Sequence, residues 1–384
     1  MTSTTHFRRI FRNARVVLGD EVRHASVVID GDRIVAIDGA ASSAPDAIDC
    51  QGDYLLPGLV EVHTDNLERH MMPRPRVYFP VKSAVQAHDA EIAAAGITTV
   101  LDAIGVGDPY SEGFRSRDQS DLLDVLDRFE QNGLLRADHL LHIRCELPAP
   151  NTRELFEPFA AHPRLRLISL MDHTPGQRQW SDIEHAKIYY TGKKGWSEAK
   201  FAEEVRIAPE RQARYVQPNR AWFAAFAREH GVSLATHDDT TIEHVEEARE
   251  LRASMSEFPT TLKAARHAHT HGLATIAGAP NVVRGGSHSG NVAAIDLARA
   301  GVLDALSSDY VPISLLSAAW ILQRDAGWSL PQAVAVVSRR PALACGLPDR
   351  GEIAIGRRAD VIRVCEVGDA PVVREVYARG RRVA

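Results

Sequence analysis

The chain has 384 residues, 45% of them hydrophobic and 25% charged, a mixture that excludes a disordered or fibrous protein. Its formal net charge of −5 excludes a broadly basic surface for nucleic acid or an anionic membrane, so an anionic ligand must be bound by local basic clusters. The four cysteines form no Cys-x-x-Cys pair, and we expect them to be reduced and mostly structural. The sequence has neither a signal-peptide core nor an apolar run of about 18 residues, so we expect a cytoplasmic protein.

Both ends of the chain have the pattern of short β-strands. Near the start, the turn signal Asp30-Gly31-Asp32 separates two apolar runs and favours a hairpin. We expect strands at 14–18, 26–29 and 33–37, and again near the end at 352–355, 360–364, 372–377 and 379–383. The pattern predicts one small β-sandwich domain formed by both chain ends, residues 1–56 and 346–384.

The central region alternates helical and strand patterns. Residues 85–95 are apolar at helical spacing, Gly96 stops that helix, and a β-branched run follows at 97–104. Further strands are expected at 140–145, 165–170, 232–236, 274–277 and 305–308. Alternation over this length predicts an α/β fold in which residues 57–345 form a closed (β/α)₈ TIM-like barrel.

Imidazole and carboxylate groups follow the predicted strands of this barrel. In a parallel barrel the reactive side chains lie at the carboxyl ends of the strands. His63 and Asp65 follow the run 55–62 and are two apart, so on extended backbone they point to the same side and can share a metal. The full set of predicted metal ligands is His63, Asp65, Glu146, His173, His237 and Asp309. These ligand types suit one or two divalent ions, with Zn²⁺ first and Mn²⁺ or Fe²⁺ as alternatives, and the absence of thiolates argues against a structural zinc.

Three features of the sequence have a simpler interpretation than a role in a metal site. A strand-end histidine such as His173 can have a hydrogen-bonded structural role, and Asp309 after Ser308 can cap a helix. His267-x-His269-x-His271 has the composition of a metal cluster. We set it aside because residues two apart do not share a helix face, and we expect these histidines to be surface or packing residues.

Several motifs resemble a known family. Leu56-Pro57-Gly58 before the first ligands and Gly351-Glu352-Ile353 near the end are similar to the amidohydrolase superfamily. A narrower resemblance, to the PhnM family of the carbon–phosphorus lyase pathway, rests on motifs that run through the barrel. They include Glu61-Val62-His63-Thr64-Asp65-Asn66, Pro73-Arg74-Pro75, His88-Asp89-Ala90, Met171-Asp172-His173-Thr174-Pro175-Gly176, His237-Asp238-Asp239-Thr240, Arg284-Gly285-Gly286-Ser287-His288-Ser289-Gly290-Asn291 and Ser308-Asp309-Tyr310.

The resemblance implies hydrolysis of α-D-ribose 1-methylphosphonate 5-triphosphate to the 5-phosphate and pyrophosphate. The sequence departs from the superfamily at one point, because the commoner His-x-His motif is replaced here by His63-x-Asp65. On this hypothesis the metal ions make hydroxide available, His237 and Asp309 are catalytic, and Asp309 orients the water and takes its proton. Cations would clamp the leaving pyrophosphate. The predicted substrate-binding residues are Arg74, Arg178, Lys187, Lys193, Arg284, His288 and Asn291.

Two other functions are compatible with the same residues. One is an amide or cyclic-amide hydrolase on the same barrel, and the other is a non-catalytic subunit of a phosphonate-processing assembly. The presence of every candidate ligand argues against the second. The expected partner is a small phosphorylated sugar phosphonate, with no nucleic acid and no membrane, and the sequence allows a homo-oligomer. The region from 189 to about 230 is either a closing lid or an ordinary excursion between strands.

Overall fold

The computed structural model describes residues 8–39, 44–74, 77–109, 120–180, 182–192, 195–287 and 289–384. Of the predicted site residues, Lys193 and His288 lie outside these ranges. In chain order the strands are β1 (Arg8–Val17), β2 (Val22–Asp30), β3 (Arg33–Asp38), β4 (Ile48–Asp49), β5 (Tyr54–Pro57), β6 (Leu59–Thr64), β7 (Ile97–Val106), β8 (Asp138–Glu146), β9 (Leu165–Met171), β10 (Ser233–His237), β11 (Met255–Glu257), β12 (Ala274–Gly278), β13 (Ala305–Ser307), β14 (Val361–Val367), β15 (Ala370–Ala378) and β16 (Arg381–Arg382).

Helices occupy most of the connections between the barrel strands. They are α1 (Asn66–Met71), α2 (Val81–Ala94), α3 (Asp121–Gln131), α4 (Thr152–Ala160), α5 (Ile183–Gly192), α6 (Glu198–His230), α7 (Ile242–Glu250), α8 (Leu262–Thr270), α9 (Ala279–Arg284), α10 (Ala294–Arg299), α11 (Ser314–Asp325), α12 (Leu330–Ala335) and α13 (Arg339–Ala344). Within the described ranges, no helix has the length and apolar character needed to cross a membrane. The region from 189 to 230 contains the end of α5 and all of α6, and closure of this region as a lid stays a prediction.

One sheet is built from both chain ends, as predicted. Its strand order is β16-β15-β14-β5-β1-β2-β3, with β4 beside β1. Phe11 and Tyr377 join the two ends in its core, where their ring centroids lie 4.9 Å apart in an edge-to-face contact. The predicted strand at 352–355 is wrong, because those residues have no strand conformation. Ile353 is nevertheless buried against the same core, so its apolar character reflects the packing of an irregular segment.

The second sheet is the predicted barrel. Its eight strands run from β6 to β13 in chain order, and every neighbouring pair is parallel. An isolated parallel bridge between Thr64 and Asp309 brings the two ends of the sheet together. Apolar side chains from successive strands fill the interior, among them Val62, Leu101 and Leu167. The sequence alternation therefore produced a parallel barrel whose strand ends share one mouth.

Gly58 marks the passage from the end sheet to the barrel. The predicted run 55–62 divides here into β5, which pairs with β14, and β6, which pairs with β7. A Cβ atom at Gly58 would lie 2.2 Å from Thr98 Oγ1, so no larger residue fits without displacing β7. The predicted domain division at 56/57 and 345/346 stays a prediction, and this change of sheet supports its first boundary.

Asp138 at the start of β8 ties the barrel to the C-terminal segment. Its carboxylate accepts hydrogen bonds from Arg350 and Arg358 at 2.6 Å and from Arg379 at 3.1 Å. Burial favours the neutral acid, but the surrounding guanidinium groups, Arg358 foremost, outweigh it and hold the pKa of Asp138 well below its usual range. The cluster therefore favours a folded state in which Asp138 is ionised.

We expect Asp138→Asn to lower the free energy of unfolding by about 3 kcal/mol at neutral pH, because it leaves buried guanidinium groups without their counter-charge. Urea denaturation measures the difference. Asp369→Asn is the matched control, since Asp369 pairs with Arg324 at the surface and is 81% exposed. The control should change stability by less than about 1 kcal/mol.

The same pair of proteins should respond differently to pH. A carboxyl whose folded-state pKa is depressed stabilises the fold above its unfolded pKa, and this stabilisation is lost as the pH falls toward the folded value. The difference between wild type and Asp138→Asn should stay constant from about pH 7 to about pH 5 and shrink below about pH 4. A difference that grows on acidification would contradict this account of the cluster.

Candidate metal centre

The predicted ligands meet at one mouth of the barrel. They lie at or just after the ends of β6, β8, β9, β10 and β13, and they form two adjoining groups. In one group, ligand atoms of His63, Asp65 and Asp309 lie within 4.8 Å of one another, and in the other the same holds for His173, His237 and Asp238. The His237 ring joins the groups, because its centroid lies 5.7 Å from those of both His63 and His173.

Three imidazoles in this cluster share one arrangement. Each has its Nδ1 atom against a carboxylate oxygen, in the pairs His63 with Glu257 (3.1 Å), His173 with Glu146 (2.6 Å) and His237 with Asp238 (2.8 Å). An ionised carboxylate only accepts hydrogen bonds, so Nδ1 carries the proton and donates in every pair. The arrangement fixes each ring and leaves Nε2 as the nitrogen that can bind a metal.

His237 provides the clearest test of whether the site fits a metal ion. Its Nε2 atom is buried and has no hydrogen-bond partner among the described residues. Burial alone would lower the pKa of His237, but Asp238 and then Glu257 outweigh that effect and raise it. A buried nitrogen without a partner, in a region rich in carboxylate charge, fits a divalent cation.

Asp309 forms part of the closure of the barrel. Its backbone N–H donates to His63 O at 3.1 Å, and its carbonyl accepts from the Asp65 N–H at 2.8 Å and from Thr64 Oγ1 at 2.7 Å. It has a left-handed conformation with φ of 54°, a strained state that is concentrated at functional sites. The alternative of a helix cap is wrong, because α11 begins at Ser314 with Ile313 at its N-cap position.

Glu61 also connects the end of β6 to the turn after β13, a junction called the seam below, from inside the barrel. One oxygen accepts the backbone N–H of His63 at 2.7 Å, and the other accepts that of Ser308 at 2.6 Å. Burial raises the pKa of Glu61 to about 8, although these hydrogen bonds oppose the rise. Because both oxygens act as acceptors, Glu61 fixes the spacing between the strands that carry His63 and Asp309.

Glu257 and His142 were missed by the strand-end reasoning. Glu257 ends β11, a strand of only three residues that was not predicted, although a carboxylate after Met255-Ser256 follows the same rule as the others. His142 lies within β8, where its Nδ1–H donates to Val62 O at 2.9 Å and its Nε2 accepts from Ser169 Oγ at 2.9 Å. Burial lowers the pKa of His142 to about 3, so it supports β6 as a neutral ring.

The His88-Asp89 motif belongs to a buried hydrogen-bond network with Asp102 of β7 and His139 of β8. Asp102 accepts from His88 Nε2 at 2.7 Å and from His139 Nδ1 at 2.8 Å. Asp89 lies 3.3 Å from the other nitrogen of His139, while His88 Nδ1 accepts from Asn66 at 3.0 Å. Burial opposes the charge on His139, but Asp102 and Asp89 raise its pKa to about 10. This buried network fixes Asn66, the residue next to Asp65.

Arg178 is held close to the metal centre, although its predicted role in binding substrate stays a prediction. Its guanidinium donates to Asp239 at 2.6 Å, to the carbonyl of His237 at 3.0 Å and to Glu247 at 3.1 Å. The side chain is 6% exposed. In this arrangement Arg178 ties the end of β10 to the second half of α7, and thereby fixes the position of His237.

The other predicted substrate residues lie on more open segments. Arg74 and Arg284 are exposed, and Arg284 is the last residue of α9, directly before Gly285 and Gly286. Lys187 on α5 pairs with Glu198 at 3.3 Å. Asn291 donates to Ser289 at 3.4 Å. Direct metal binding by Glu146 and the substrate roles of this group stay predictions, and those of Lys193 and His288 fall outside the described residues.

At about pH 9, where Glu61 is ionised, we expect Glu61→Gln to lower the free energy of unfolding by about 2 kcal/mol, because its amide NH₂ would face a backbone N–H donor on one side of the seam. Urea denaturation measures the loss. Glu157→Gln, at an exposed position on α4, is the control and should change stability by less than about 0.5 kcal/mol. Equal stability of Glu61→Gln and wild type would contradict the two-acceptor role.

Comparison with known proteins defines the fold and the family. No protein-family model matches the chain. In solved structures the fold is similar to dihydropyrimidinase from Brevibacillus agri NCHU1002, with a TM-score of 0.60, 15% identity and coverage of 98% of this chain and 95% of that one. It is also similar to molinate hydrolase, with a TM-score of 0.67, 14% identity and coverage of 98% and 94%. These likenesses confirm the predicted fold, a (β/α)₈ barrel with a separate sheet formed by both chain ends.

In sequence, the chain is 43% identical over 376 residues to α-D-ribose 1-methylphosphonate 5-triphosphate diphosphatase of Escherichia coli (strain K12). The match covers 97% of this chain and 100% of the relative. Identity at this level over the full length of both proteins confirms the resemblance that the motifs indicated. The chain therefore belongs to the PhnM family of ribose 1-methylphosphonate 5-triphosphate diphosphatases.

Proposed function

We propose that this protein is a metal-dependent hydrolase that cleaves α-D-ribose 1-methylphosphonate 5-triphosphate into the 5-phosphate and pyrophosphate, in phosphonate catabolism. The observation that carries the proposal is the full-length match to a relative named for this activity. The strand-end cluster of imidazoles and carboxylates supports it, because cleavage of a phosphoanhydride needs an activated water and neutralised oxygen charge.

The proposed metal ligands are His63, Asp65, His173, His237 and Asp309, with Glu146 either a further ligand or the orienting partner of His173. Nitrogen and oxygen donors of this kind suit Zn²⁺ first, and Mn²⁺ or Fe²⁺ as alternatives. A divalent cation bound here lowers the pKa of water toward neutrality and neutralises charge on the phosphate oxygens.

Asp309 and His237 have separate proposed roles in the reaction. Asp309 orients the attacking water and accepts its proton, a role that suits a carboxylate fixed at the seam between β6 and β13. His237 acts from β10, where Asp238 holds Nδ1 and Arg178 holds the backbone carbonyl. Because the surrounding hydrogen bonds fix both groups in advance, little reorganisation is needed when substrate binds.

The leaving pyrophosphate is proposed to bind at the loop after α9. Arg284, the exposed last residue of α9, provides the cation there, while the N–H groups of Gly285 and Gly286 donate to the carbonyls of Val282 and Asn281 and so fix the turn that follows it. The α5 helix adjoins this loop, since a Cβ atom at Gly290 would lie 3.7 Å from His185 Cε1. Lys187 and Asn291 therefore belong to neighbouring segments, and Arg74 is proposed as a further cation beside α1.

The direct test is phosphorus NMR of the products formed by metal-stripped protein before and after addition of Zn²⁺ or Mn²⁺. We expect pyrophosphate only when metal is present, and a loss of at least about 100-fold in kcat in Asp309→Asn, because the general base is removed. Asp296→Asn, an exposed aspartate on α10, is the control and should retain activity. Release of orthophosphate in place of pyrophosphate would contradict the assignment.

The same preparations separate the rival functions. Hydrolysis of an N-acyl or cyclic-amide substrate with no turnover of the triphosphate would keep the barrel and its metal centre but reject the diphosphatase activity. Absence of turnover on both substrate classes, with metal bound at the cluster, would favour a non-catalytic subunit.

We expect Arg284→Ala to raise KM for the triphosphate about tenfold, because a charge-assisted hydrogen bond to phosphate is removed. Steady-state kinetics with product detection by phosphorus NMR measure the change. Arg266→Ala, an exposed arginine on the outer helix α8, is the control for loss of positive charge alone. If the two variants raise KM equally, the loop after α9 does not bind the substrate.

A further inference from the structure

A separate group of side chains of metal-ligand type lies between helices α7 and α8, on the outside of the barrel. Glu246 is on α7, His267 is in the last turn of α8, and His271 is its C-cap residue. Within the run His267-x-His269-x-His271, residues two apart do not share a helix face. His267 and His271 are four apart, however, and therefore lie on the same face.

The geometry of this group matches a metal site. One ligand atom from each of the three residues lies within 4.8 Å of the others, and the two imidazole centroids are 4.2 Å apart. His271 donates Nδ1–H to the carbonyl of His267 at 2.8 Å, which leaves Nε2 as its ligand nitrogen. His267 Nε2 faces a carboxylate oxygen of Glu246. The proton between these two atoms occupies the place that a cation would take.

The surroundings leave one Glu246 oxygen and a solvent path for a cation. Arg249 binds the second oxygen of Glu246 at 2.5 Å and so orients the carboxylate, while the first oxygen remains directed at His267. The Arg249 side chain is 41% exposed, so solvent screens its positive charge. His267 is 22% exposed, which allows a hydrated ion to enter.

His269 provides an internal contrast. It lies on the same helix between the two histidines, but its Nδ1 pairs with Asp304 at 2.9 Å, away from Glu246. Its side chain is 40% exposed, so it is accessible to solvent like the other two. The same segment thus contains an exposed histidine outside the cluster.

We propose that Glu246, His267 and His271 form a second metal site, which binds a borderline divalent cation such as Zn²⁺ through two imidazole nitrogens and one carboxylate oxygen. This donor set leaves one position of a tetrahedral ion for water. The ion would connect the outer helix after β10 to the next helix of the barrel. On α7, the neighbouring Glu247 pairs with Arg178 and Arg220, so the site would stabilise the segment that follows His237.

The test counts Zn²⁺ on enzyme whose catalytic centre is already loaded with metal. Equilibrium dialysis followed by elemental analysis should find one ion fewer per chain in His267→Ala/His271→Ala than in wild type. His269→Ala should bind as many ions as wild type. Glu246→Gln is a more conservative variant, and we expect it to weaken binding at this site at least tenfold. Equal zinc counts in wild type and the double variant would overturn the proposal.

Thermal unfolding gives a second readout, because a ligand that binds only the folded state raises its Tm. Added Zn²⁺ should raise the Tm of loaded wild type and of His269→Ala by a few degrees, and should not do so in the double variant. Turnover of the triphosphate should persist in the double variant, since these residues lie outside the catalytic cluster. A Tm shift of the same size in all three proteins would contradict the site.

Discussion

The hydrogen bonds between the end of β6 and the turn after β13 are the contacts on which the rest of the catalytic mouth depends. Asp309 donates to the carbonyl of His63 and accepts from the N–H of Asp65, while Glu61 accepts from the backbone on both sides. These contacts close the barrel and fix three candidate ligands in one step. The hydrogen bonds that close the barrel therefore also bring the candidate ligands together. They also maintain the left-handed backbone conformation of Asp309.

Charge balance explains why a metal belongs in this mouth. Each of the three imidazoles uses Nδ1 to bind a carboxylate, and Asp65 and Asp309 add two further carboxylates beside His63. Burying carboxylates is costly unless a cation or a hydrogen-bond donor compensates them. Arg144 compensates Asp65 and Arg178 compensates Asp239, and a divalent ion at the imidazoles would balance the rest. The protein thus combines a rigid barrel with a site whose protonation states are set by its neighbours.

The sequence predicted the barrel, the sheet from both chain ends and a cluster of strand-end imidazoles and carboxylates, because each of the six candidate ligands follows an apolar run at a strand end. Glu257 could not be predicted in this way, since β11 has only three residues and too little periodicity to be recognised. The predicted strand at 352–355 failed because burial of Ile353 imitates a strand pattern. Likewise, a sequence does not reveal which acid an arginine reaches, and Arg178 lies against Asp239 and Glu247 through contacts between distant segments.

The central claim is that three imidazoles, oriented by carboxylates at Nδ1, hold the catalytic metal through Nε2. Anomalous diffraction from crystals of the metal-loaded enzyme, collected at the absorption edge of the ion, tests this claim most directly. The account predicts anomalous peaks at the barrel mouth within coordination distance of the Nε2 atoms of His63, His173 and His237. Peaks bound through Nδ1, or a barrel mouth without metal in an enzyme that still turns over the triphosphate, would contradict it.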